Sequence, residues 1–206
     1  MFINFYKKTW HRILLEKILK QESHLITGNI LDVGSGSRRY DNLFNGEIIA
    51  IDKCLNPKLN IIKANFNQKT KFVDNYFDGL ISIEVFEYLE NLNQPINEVY
   101  RLLKPGHYAL ITMPFMYHDH GDNIRYTKEY IYSQTNNFSE VDVKTIGNAY
   151  TVIWDIIRKK VFGSKKSLNK KIIFIFLLPI LLILKLFKVE KIKDSYYSGI
   201  FIKLKK

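Results

Sequence analysis

One loop in the sequence has residue types that suit the binding of a charged small molecule. Residues 30–37 read Ile-Leu-Asp-Val-Gly-Ser-Gly-Ser, an apolar run that ends in Asp-x-Gly-x-Gly. Glycines at the end of a parallel strand allow a tight turn and let a ligand approach main-chain N–H groups. The Asp32 carboxylate would lie beside that ligand, and its negative charge suits a cationic or amine-bearing molecule better than a pyrophosphate.

The same loop departs from the pattern that binds dinucleotides. That pattern, G-x-G-x-x-G, requires a third glycine at the position that Arg39 occupies. A dinucleotide-dependent oxidoreductase is therefore a disfavoured alternative. A Gly-rich turn after a strand is common by itself, so the kind of ligand it binds has to be inferred from the elements around it.

A second stretch, 118–125, holds the residue types of acid–base catalysis. His118 and His120 could take a proton from a hydroxyl nucleophile, because the imidazole pKa lies near neutral pH. Asp122 could orient one of them, and Arg125 could bind a phosphate or carboxylate of an acceptor. These residues would also suit an ordinary polar loop or a metal site. The metal site is the least favoured, because no third ligand at a suitable spacing is evident, and we expect no metal.

The two stretches need a scaffold that brings them together, and the apolar pattern predicts one. The predicted strands are residues 30–33, 47–52, 59–66, 77–83, 108–114, 140–145 and 199–204. Helical segments alternate with them, which indicates a parallel sheet covered on both faces. Asp52 ends the second strand, where a ribose hydroxyl pair would need an acceptor. The histidines follow the fifth strand, at the carboxyl edge where open α/β sheets bind ligands.

Several motifs in this order resemble a known family. They are Asp-Val-Gly-Ser-Gly at 32–36, Ile-Glu-Val-Phe-Glu-Tyr-Leu at 83–89 and Arg-Leu-Leu-Lys-Pro-Gly at 101–106. Together they resemble a class I S-adenosylmethionine-dependent methyltransferase of the type-11 methyltransferase domain family. The stretch 113–127 is similar to a subgroup common in bacterial surface-glycan and lipid-modifying gene neighbourhoods. The resemblance implies an α/β, Rossmann-like three-layer sandwich. Its mostly parallel sheet has seven strands, and the last is antiparallel between the fifth and sixth.

The resemblance also implies a site. S-adenosyl-L-methionine would be the cofactor, and the catalytic residues would be His118, His120 and Asp122. Tyr88 and Arg125 would bind the acceptor. The residues expected to bind the cofactor are Asp32, Gly34, Ser35, Gly36, Asp52, Lys53, Asn65, Phe66, Ile83 and Glu84.

The sequence departs from the family pattern at three of its positions. Tyr88 replaces the usual His, Asn65 replaces a frequent Asp near the adenine, and His107 replaces a glycine. Asn65 can still form hydrogen bonds with an amine. The departures keep open a second alternative, a non-catalytic cofactor-binding or partner protein with this fold.

The expected function is methyl transfer to a small-molecule, glycan or lipid-linked acceptor, at a hydroxyl group. The chain is predicted to be one domain over 1–206. It comprises a helical segment at 1–28, a cofactor-binding core at 29–150, a basic and apolar insertion at 151–194 and a final strand at 195–206. Trp10, Leu14 and Ile18 recur four residues apart, which indicates an amphipathic helix. That helix would cover a sheet edge or form a lid over the cofactor.

The charge of the chain is concentrated near its C-terminus. Residues 144–206 hold 15 Lys/Arg and three Asp/Glu, a net charge of +12, whereas residues 1–143 have a net charge of −1. Lysines flank an apolar run at 172–184, which is shorter than the roughly 20 residues of a spanning helix. Residues 158–193 are therefore expected to contact an anionic membrane surface. A buried core helix and a partner interface stay open, and nucleic acid is disfavoured because no recognised motif accompanies the lysines.

The location of the protein is inferred from what the sequence lacks. The chain has a single cysteine, Cys54, which cannot form an internal disulfide and fits a reducing compartment. Charged residues interrupt the apolar positions of 1–22, so this segment does not resemble a signal peptide. We therefore expect a cytoplasmic enzyme, peripheral on the inner face of the membrane.

Overall fold

The computed structural model describes residues 8–162, 176, 179–180, 182–191 and 195–206. The first part of the predicted N-terminal segment and most of the apolar run at 172–184 lie outside the described residues. The predicted division of the chain into four segments stays a prediction.

A seven-stranded sheet forms the centre of the molecule, as the resemblance implied. Its strands are β1 Thr27–Val33, β2 Asn45–Asp52, β3 Ile61–Lys63, β4 Phe77–Ile83, β5 Leu103–Pro114, β6 Glu140–Ile146 and β7 Gly199–Lys205. The strand order is β3-β2-β1-β4-β5-β7-β6. The first five strands pair in parallel, and β7 is antiparallel to both β5 and β6. The predicted Rossmann-like fold is confirmed.

Helices cover the sheet unevenly. The α-helices are α1 Trp10–Glu22, α2 Asn93–Leu102, α3 Lys128–Gln134 and α4 Ala149–Phe162. The connections between β1 and β4 carry only short 3-10 turns, so the strict alternation of strands and helices predicted there is wrong. Those connections are rich in Gly, Asn and Pro, which favour turns over helix. In the part of the chain that the structure describes, no helix is long and apolar enough to cross a membrane.

Alternation along each strand builds one core on each face of the sheet. Ile30, Ile81 and Phe201 pack with α1 on one face. Leu31, Leu80 and their equivalents on β5 and β7 pack with α2 and α3 on the other. Successive side chains along a strand point to opposite faces of the sheet, so these apolar positions determine which face packs against which helices.

The buried face of α1 differs from the predicted one. His11, Leu15 and Leu19 are buried, whereas the predicted stripe of Trp10, Leu14 and Ile18 is only partly buried. Both sets have the same helical spacing, so they differ by a rotation of one residue. The apolar pattern of the sequence indicated the wrong buried face because His11 was treated as a polar residue, although it is fully buried.

Strand β3 is shorter than predicted, and this positions two residues of the site. The strand spans only Ile61–Lys63 instead of 59–66. Asn60 has a left-handed backbone with φ of 52° and ends the preceding 3-10 turn. Asn65 begins a turn, because its side-chain oxygen accepts a hydrogen bond from Asn67 N at 3.0 Å. Asn65 and Phe66 therefore lie beyond the carboxyl end of the strand.

Candidate functional site

The glycine-rich loop after β1 is held tightly against the neighbouring strands. The N–H groups of Gly34 and Ser35 donate to the carbonyl oxygen of Ile51 at 2.8 and 3.1 Å. Gly34 has φ of +72°, and a Cβ atom there would lie 2.4 Å from a methyl group of Val85. Any side chain at this position would collide with the connection that follows β4, so the turn requires glycine.

Asp52 caps the same loop from the end of β2. Its carboxylate accepts hydrogen bonds from Gly36 N at 3.2 Å and from Cys54 N at 3.0 Å. The two contacts fix the carboxylate beside the glycine turn, at the end of the second strand. Asp52 lies where an acceptor for ribose hydroxyls is expected in a fold of this kind.

A pocket of about 300 Å³ opens at the carboxyl ends of the first, second and fourth strands. Six of the predicted cofactor residues line it, together with Tyr88. These six are Gly34, Asp52, Lys53, Asn65, Phe66 and Glu84. The remaining walls are mostly apolar and include Val33, Ile51 and Leu89, together with the polar Asn67. A partly apolar pocket with a few polar groups is typical of a small-molecule site.

Four predicted cofactor residues do not line this pocket. They are Asp32, Ser35, Gly36 and Ile83. Asp32 shares the face of β1 that carries Ile30, which is the face away from the pocket. Burial, followed by the negative charge of Asp41, raises the pKa of Asp32 to about 7. The structure therefore does not bring the Asp32 carboxylate to the pocket.

Glu84 links the pocket to the N-terminal helix. Its backbone has φ of 59°, an uncommon conformation for a residue with a side chain. Its carboxylate lies 3.1 Å from His11 Nε2 and accepts from Thr112 Oγ1 at 3.1 Å. His11 Nδ1 in turn lies 2.9 Å from Ser198 Oγ. Burial raises the pKa of Glu84, but the hydrogen bond and charge of His11 outweigh it and lower that pKa overall.

The histidine loop after β5 is organised around Asp122. The Asp122 carboxylate lies 2.9 Å from His120 Nδ1 and accepts from Arg125 Nη2 at 2.8 Å. Arg125 holds the pKa of Asp122 well below its usual range. Arg125 also donates to the carbonyl oxygen of Phe115, so its guanidinium braces the loop. The predicted contact of Arg125 with the acceptor stays a prediction.

His118 borders a larger groove of about 800 Å³ on the side of α1. The groove is strongly basic. Its charged lining residues are Lys8, Arg12, Glu16, Lys20, Arg39 and Arg158. Lys8 forms an ion pair with Glu16 at 2.6 Å. Lys20 and Arg39 form no ion pair within the described residues, so the groove retains a positive charge.

Aromatic rings connect the pocket with the groove. Tyr88 lines the pocket and His118 lines the groove. His120 lies between them, with ring centroids 5.7 Å from Tyr88 and 5.7 Å from His118. Burial, followed by the charge of Lys159, lowers the pKa of His118 and so favours its neutral imidazole. A neutral imidazole can accept a proton from an acceptor bound in the groove.

Several residues of this region were missed from the sequence. His11 and Arg12 were hidden within the helical pattern of α1. Glu87 was noted only as part of a family motif, yet it is fully buried beside the pocket. The one signal that could have found it was the spacing Glu84-x-x-Glu87, followed by His120 on the next connection.

A comparison of the chain with known protein families agrees with this geometry. Residues 31–111 match the family model described as a methyltransferase domain. Among curated proteins, no sequence matches the chain. The matched region contains the glycine loop, Asp52 and Glu84, which are among the polar groups at the pocket.

Solved structures share the fold at low sequence identity. A phosphoethanolamine N-methyltransferase 2 of Haemonchus contortus, in complex with S-adenosyl-L-methionine, is 18% identical, with a TM-score of 0.60 over 93% of this chain. The chain spans about half of that enzyme, 52% of its length. A SAM-dependent methyltransferase from Archaeoglobus fulgidus is 16% identical, with a TM-score of 0.63 over 100% of this chain and 98% of its own.

The same fold also serves another reaction. The [4+2]-cyclase SpnF is 14% identical, with a TM-score of 0.62 over 98% of this chain and 84% of its own. Function must therefore be argued from the site. Residues 31–111 match a methyltransferase domain, and the Haemonchus contortus enzyme that shares the fold binds S-adenosyl-L-methionine.

Proposed function

We propose that this protein transfers the methyl group of S-adenosylmethionine to an anionic acceptor bound in the basic groove. The observation that carries the proposal is the placement of His118 at the groove and of His120 between His118 and Tyr88 of the pocket. An acceptor whose charged group lies in the groove would present its nucleophile to the histidines beside the pocket. The acceptor class is a phosphate-bearing glycan, lipid-linked saccharide or lipid-like molecule.

The residues of the pocket fit the cofactor. Asp52 would accept from the ribose hydroxyls, and Asn65 offers both a donor and an acceptor to the adenine. Gly34 lets the cofactor approach the turn at the end of β1. When bound, the cofactor supplies an activated methyl group, so the protein has to orient the nucleophile and remove its proton.

His118 and His120 are the candidate bases for a hydroxyl nucleophile. His120 is oriented by Asp122 through Nδ1, which would leave Nε2 facing away from that carboxylate. His118 borders the groove, and burial lowers its pKa, which favours the neutral form that accepts a proton. A positioned general base contributes about 10²–10⁴-fold to such a reaction.

The basic groove supports an anionic acceptor. Phosphate groups bind to Arg and Lys side chains through charge-assisted hydrogen bonds. Lys20 and Arg39 lie in the groove without an ion-pair partner among the described residues. The Haemonchus contortus relative is named for a phosphate-bearing acceptor, phosphoethanolamine. That acceptor reacts at nitrogen, so a nitrogen nucleophile is the alternative to a hydroxyl here.

The segment at 158–193 is proposed to hold the enzyme at an anionic membrane surface. Phe176, Leu186 and Phe187 are 74%, 79% and 79% exposed. Lys185, Lys188 and Lys191 accompany them and are also exposed. Apolar residues buried at the acyl boundary and lysines near anionic headgroups act together in such segments. Docking there would bring the enzyme to an acceptor attached to lipid.

Cofactor binding tests the first step of the proposal. Calorimetry should detect binding of S-adenosylmethionine and of its demethylated product to the purified chain. Asp52→Ala should weaken binding at least about tenfold, or about 1.4 kcal/mol, because a charged acceptor is lost. The matched control is Asp142→Ala, which removes a carboxylate on β6 far from the pocket. A wild-type preference for NAD would contradict the proposal.

Label transfer tests the second step. The protein is incubated with methyl-labelled cofactor and a cell-envelope extract, and the extract is then separated by charge and by lipid content. We expect label in an anionic fraction, and we expect Arg39→Glu to reduce it more than Lys58→Glu, an exposed lysine outside the groove. Cofactor binding without any transferred label would favour the non-catalytic alternative.

A further inference from the structure

We propose that Glu84, Glu87 and His120 form a binding site for a divalent metal ion beside the cofactor pocket. One potential ligand atom from each residue lies within 4.8 Å of the others. The sequence suggested no metal because the histidine loop offered no third ligand. The fold supplies two carboxylates from the connection after β4 and places them next to His120.

Glu87 is the observation that points to a cation. Its side chain is 0% exposed, and neither carboxylate oxygen has a hydrogen-bond partner in the part of the chain described. A buried carboxylate without a partner is costly, and such groups are usually paired or bind a metal. A cation between the carboxylates of Glu84 and Glu87 would offset their mutual repulsion and give the Glu87 oxygens a partner.

The three residues are held together by main-chain contacts. The N–H groups of Asn123 and Ile124 donate to the carbonyl oxygen of Glu87 at 2.8 and 3.1 Å. Asn123 Nδ2 also donates to the carbonyl oxygen of Tyr88 at 3.0 Å. The histidine loop is therefore fastened to the 3-10 turn Phe86–Tyr88, which carries Glu87. The cluster is a fixed feature of the fold.

Two of the ligands are also oriented by neighbouring groups. Asp122 lies against His120 Nδ1, so Nε2 is the nitrogen left for a metal. His11 and Thr112 each contact one oxygen of Glu84, and each oxygen retains a further lone pair. Carboxylates and hydroxyls that orient ligands in this way are typical of metal sites.

The ligand set indicates the class of ion. Two carboxylate oxygens suit Mg²⁺ and Mn²⁺, and the imidazole adds a preference for Mn²⁺ or Zn²⁺ over Mg²⁺. Ligand atoms around such an ion lie about 3–4 Å apart, so the cluster would contract by about 1–2 Å. Three protein ligands leave open coordination positions. Mn²⁺ is the most suitable probe.

The role of this ion in methyl transfer rests on the proposed function, whereas its binding does not. Glu84 lines the cofactor pocket, so an acceptor oxygen on an open coordination position would lie beside the cofactor. A metal lowers the pKa of a bound hydroxyl and positions it as the nucleophile. His120 would then be a ligand, and His118 would be the residue left to accept the proton.

Metal binding is measured without reference to activity. The full chain is freed of metal with a chelator and titrated with Mn²⁺, and the free ion is followed by electron paramagnetic resonance. Calorimetry provides the same titration for Zn²⁺ and Mg²⁺. We expect one site per chain, weakened at least tenfold by Glu87→Gln and by His120→Gln. Circular dichroism verifies that each variant is folded.

Two controls match these variants. Glu90→Gln removes an exposed carboxylate three residues from Glu87, and His24→Gln removes an exposed histidine from the end of the first helix. Both should bind Mn²⁺ as the wild type does. A folded wild type that binds no Mn²⁺, or binding that is unchanged in Glu87→Gln and His120→Gln, would overturn the proposal.

Label transfer separates this inference from the proposed function. Mn²⁺ binding at this site without transfer to any fraction would overturn methyl transfer and leave the metal site standing. Transfer that is unchanged by the chelator would leave methyl transfer standing and overturn the role of the metal in it. Transfer that requires Mn²⁺ and is lost in Glu87→Gln would support both.

Discussion

The two sides of the site are built in different ways. On the cofactor side, Gly34 N donates to the carbonyl oxygen of Ile51 on the adjacent strand, and Gly36 N donates to the carboxylate of Asp52. On the acceptor side, α1, the connection after β4 and the loop after β5 contribute side chains far apart in sequence, as the contact of His11 with Glu84 shows. The first arrangement is encoded locally, and the second exists only once the whole sheet has formed.

The largest expected effect tests how closely the glycine turn of the cofactor side packs against the connection after β4. Gly34→Ala introduces a Cβ atom 2.4 Å from Val85 at a backbone φ of +72°. The left-handed backbone costs about 1–2 kcal/mol and the collision about 1–3 kcal/mol, so we expect a loss of roughly 2–5 kcal/mol in the free energy of unfolding. Chemical denaturation measures this loss.

Gly106→Ala is the matched control for this substitution. Gly106 has φ of +82°, but a Cβ atom there would meet nothing within 4 Å. The Gly106→Ala variant should lose only the backbone contribution, about 1–2 kcal/mol of the free energy of unfolding. Equal losses in the two variants would show that the close approach to Val85 does not constrain the loop.

The next effect concerns the acceptor side. His118→Ala should lower turnover about a hundredfold, because a general base typically contributes 10²–10⁴-fold. Its affinity for S-adenosylmethionine should remain nearly unchanged, since His118 borders the groove and not the pocket. His120→Ala should lower turnover as well, together with Mn²⁺ affinity. Steady-state kinetics and calorimetry on both variants give this comparison, and wild-type turnover in both would make the loop structural.

The same contrast explains what could be predicted from the sequence. The seven strands and the position of Asp52 at the end of the second strand follow from apolar runs and from spacing, whereas the place of the last strand between the fifth and sixth followed from the family resemblance. The orientation of the Asp32 side chain could also have been predicted. Side chains alternate along a strand, so Asp32 lies on the face of Ile30 and opposite Leu31 on β1. The roles of His11 and Glu87 could not be predicted from the sequence, because each depends on a partner that is distant in sequence.

The Asp32 carboxylate, which does not line the pocket, gives a prediction whose expected effect is of intermediate size. Its pKa is about 7 in the folded chain and near 3.8 ordinarily. Between these values the folded chain holds a proton that the unfolded chain has released. The free energy of unfolding therefore falls as pH rises from about 4 to 7, and above pH 7 this contribution is constant.

Asp32→Asn should remove that dependence. We expect it to stabilise the protein by about 2 kcal/mol at pH 8, roughly half of the limit that the pKa difference sets, and to have little effect at pH 4. Chemical denaturation at the two pH values measures the difference. An equal effect at both pH values would show that the carboxylate is not protonated in the folded chain.

The smallest effect tests how an acceptor reaches the basic groove. Flotation with anionic vesicles at low salt should recover the wild-type protein, and recovery should fall severalfold when Phe176, Leu186 and Phe187 are replaced by Ser. Salt screens the lysines over about 10 Å at 0.1 M but leaves apolar burial intact, so binding should fall only in part as salt increases. The matched control replaces Tyr130 and Tyr132, which are 44% and 46% exposed on α3. If the wild type stays in solution at low salt, the segment is a buried core helix or an interface for another protein. The groove would then receive an acceptor that is free in solution, and its positive charge alone would account for recognition of the anion.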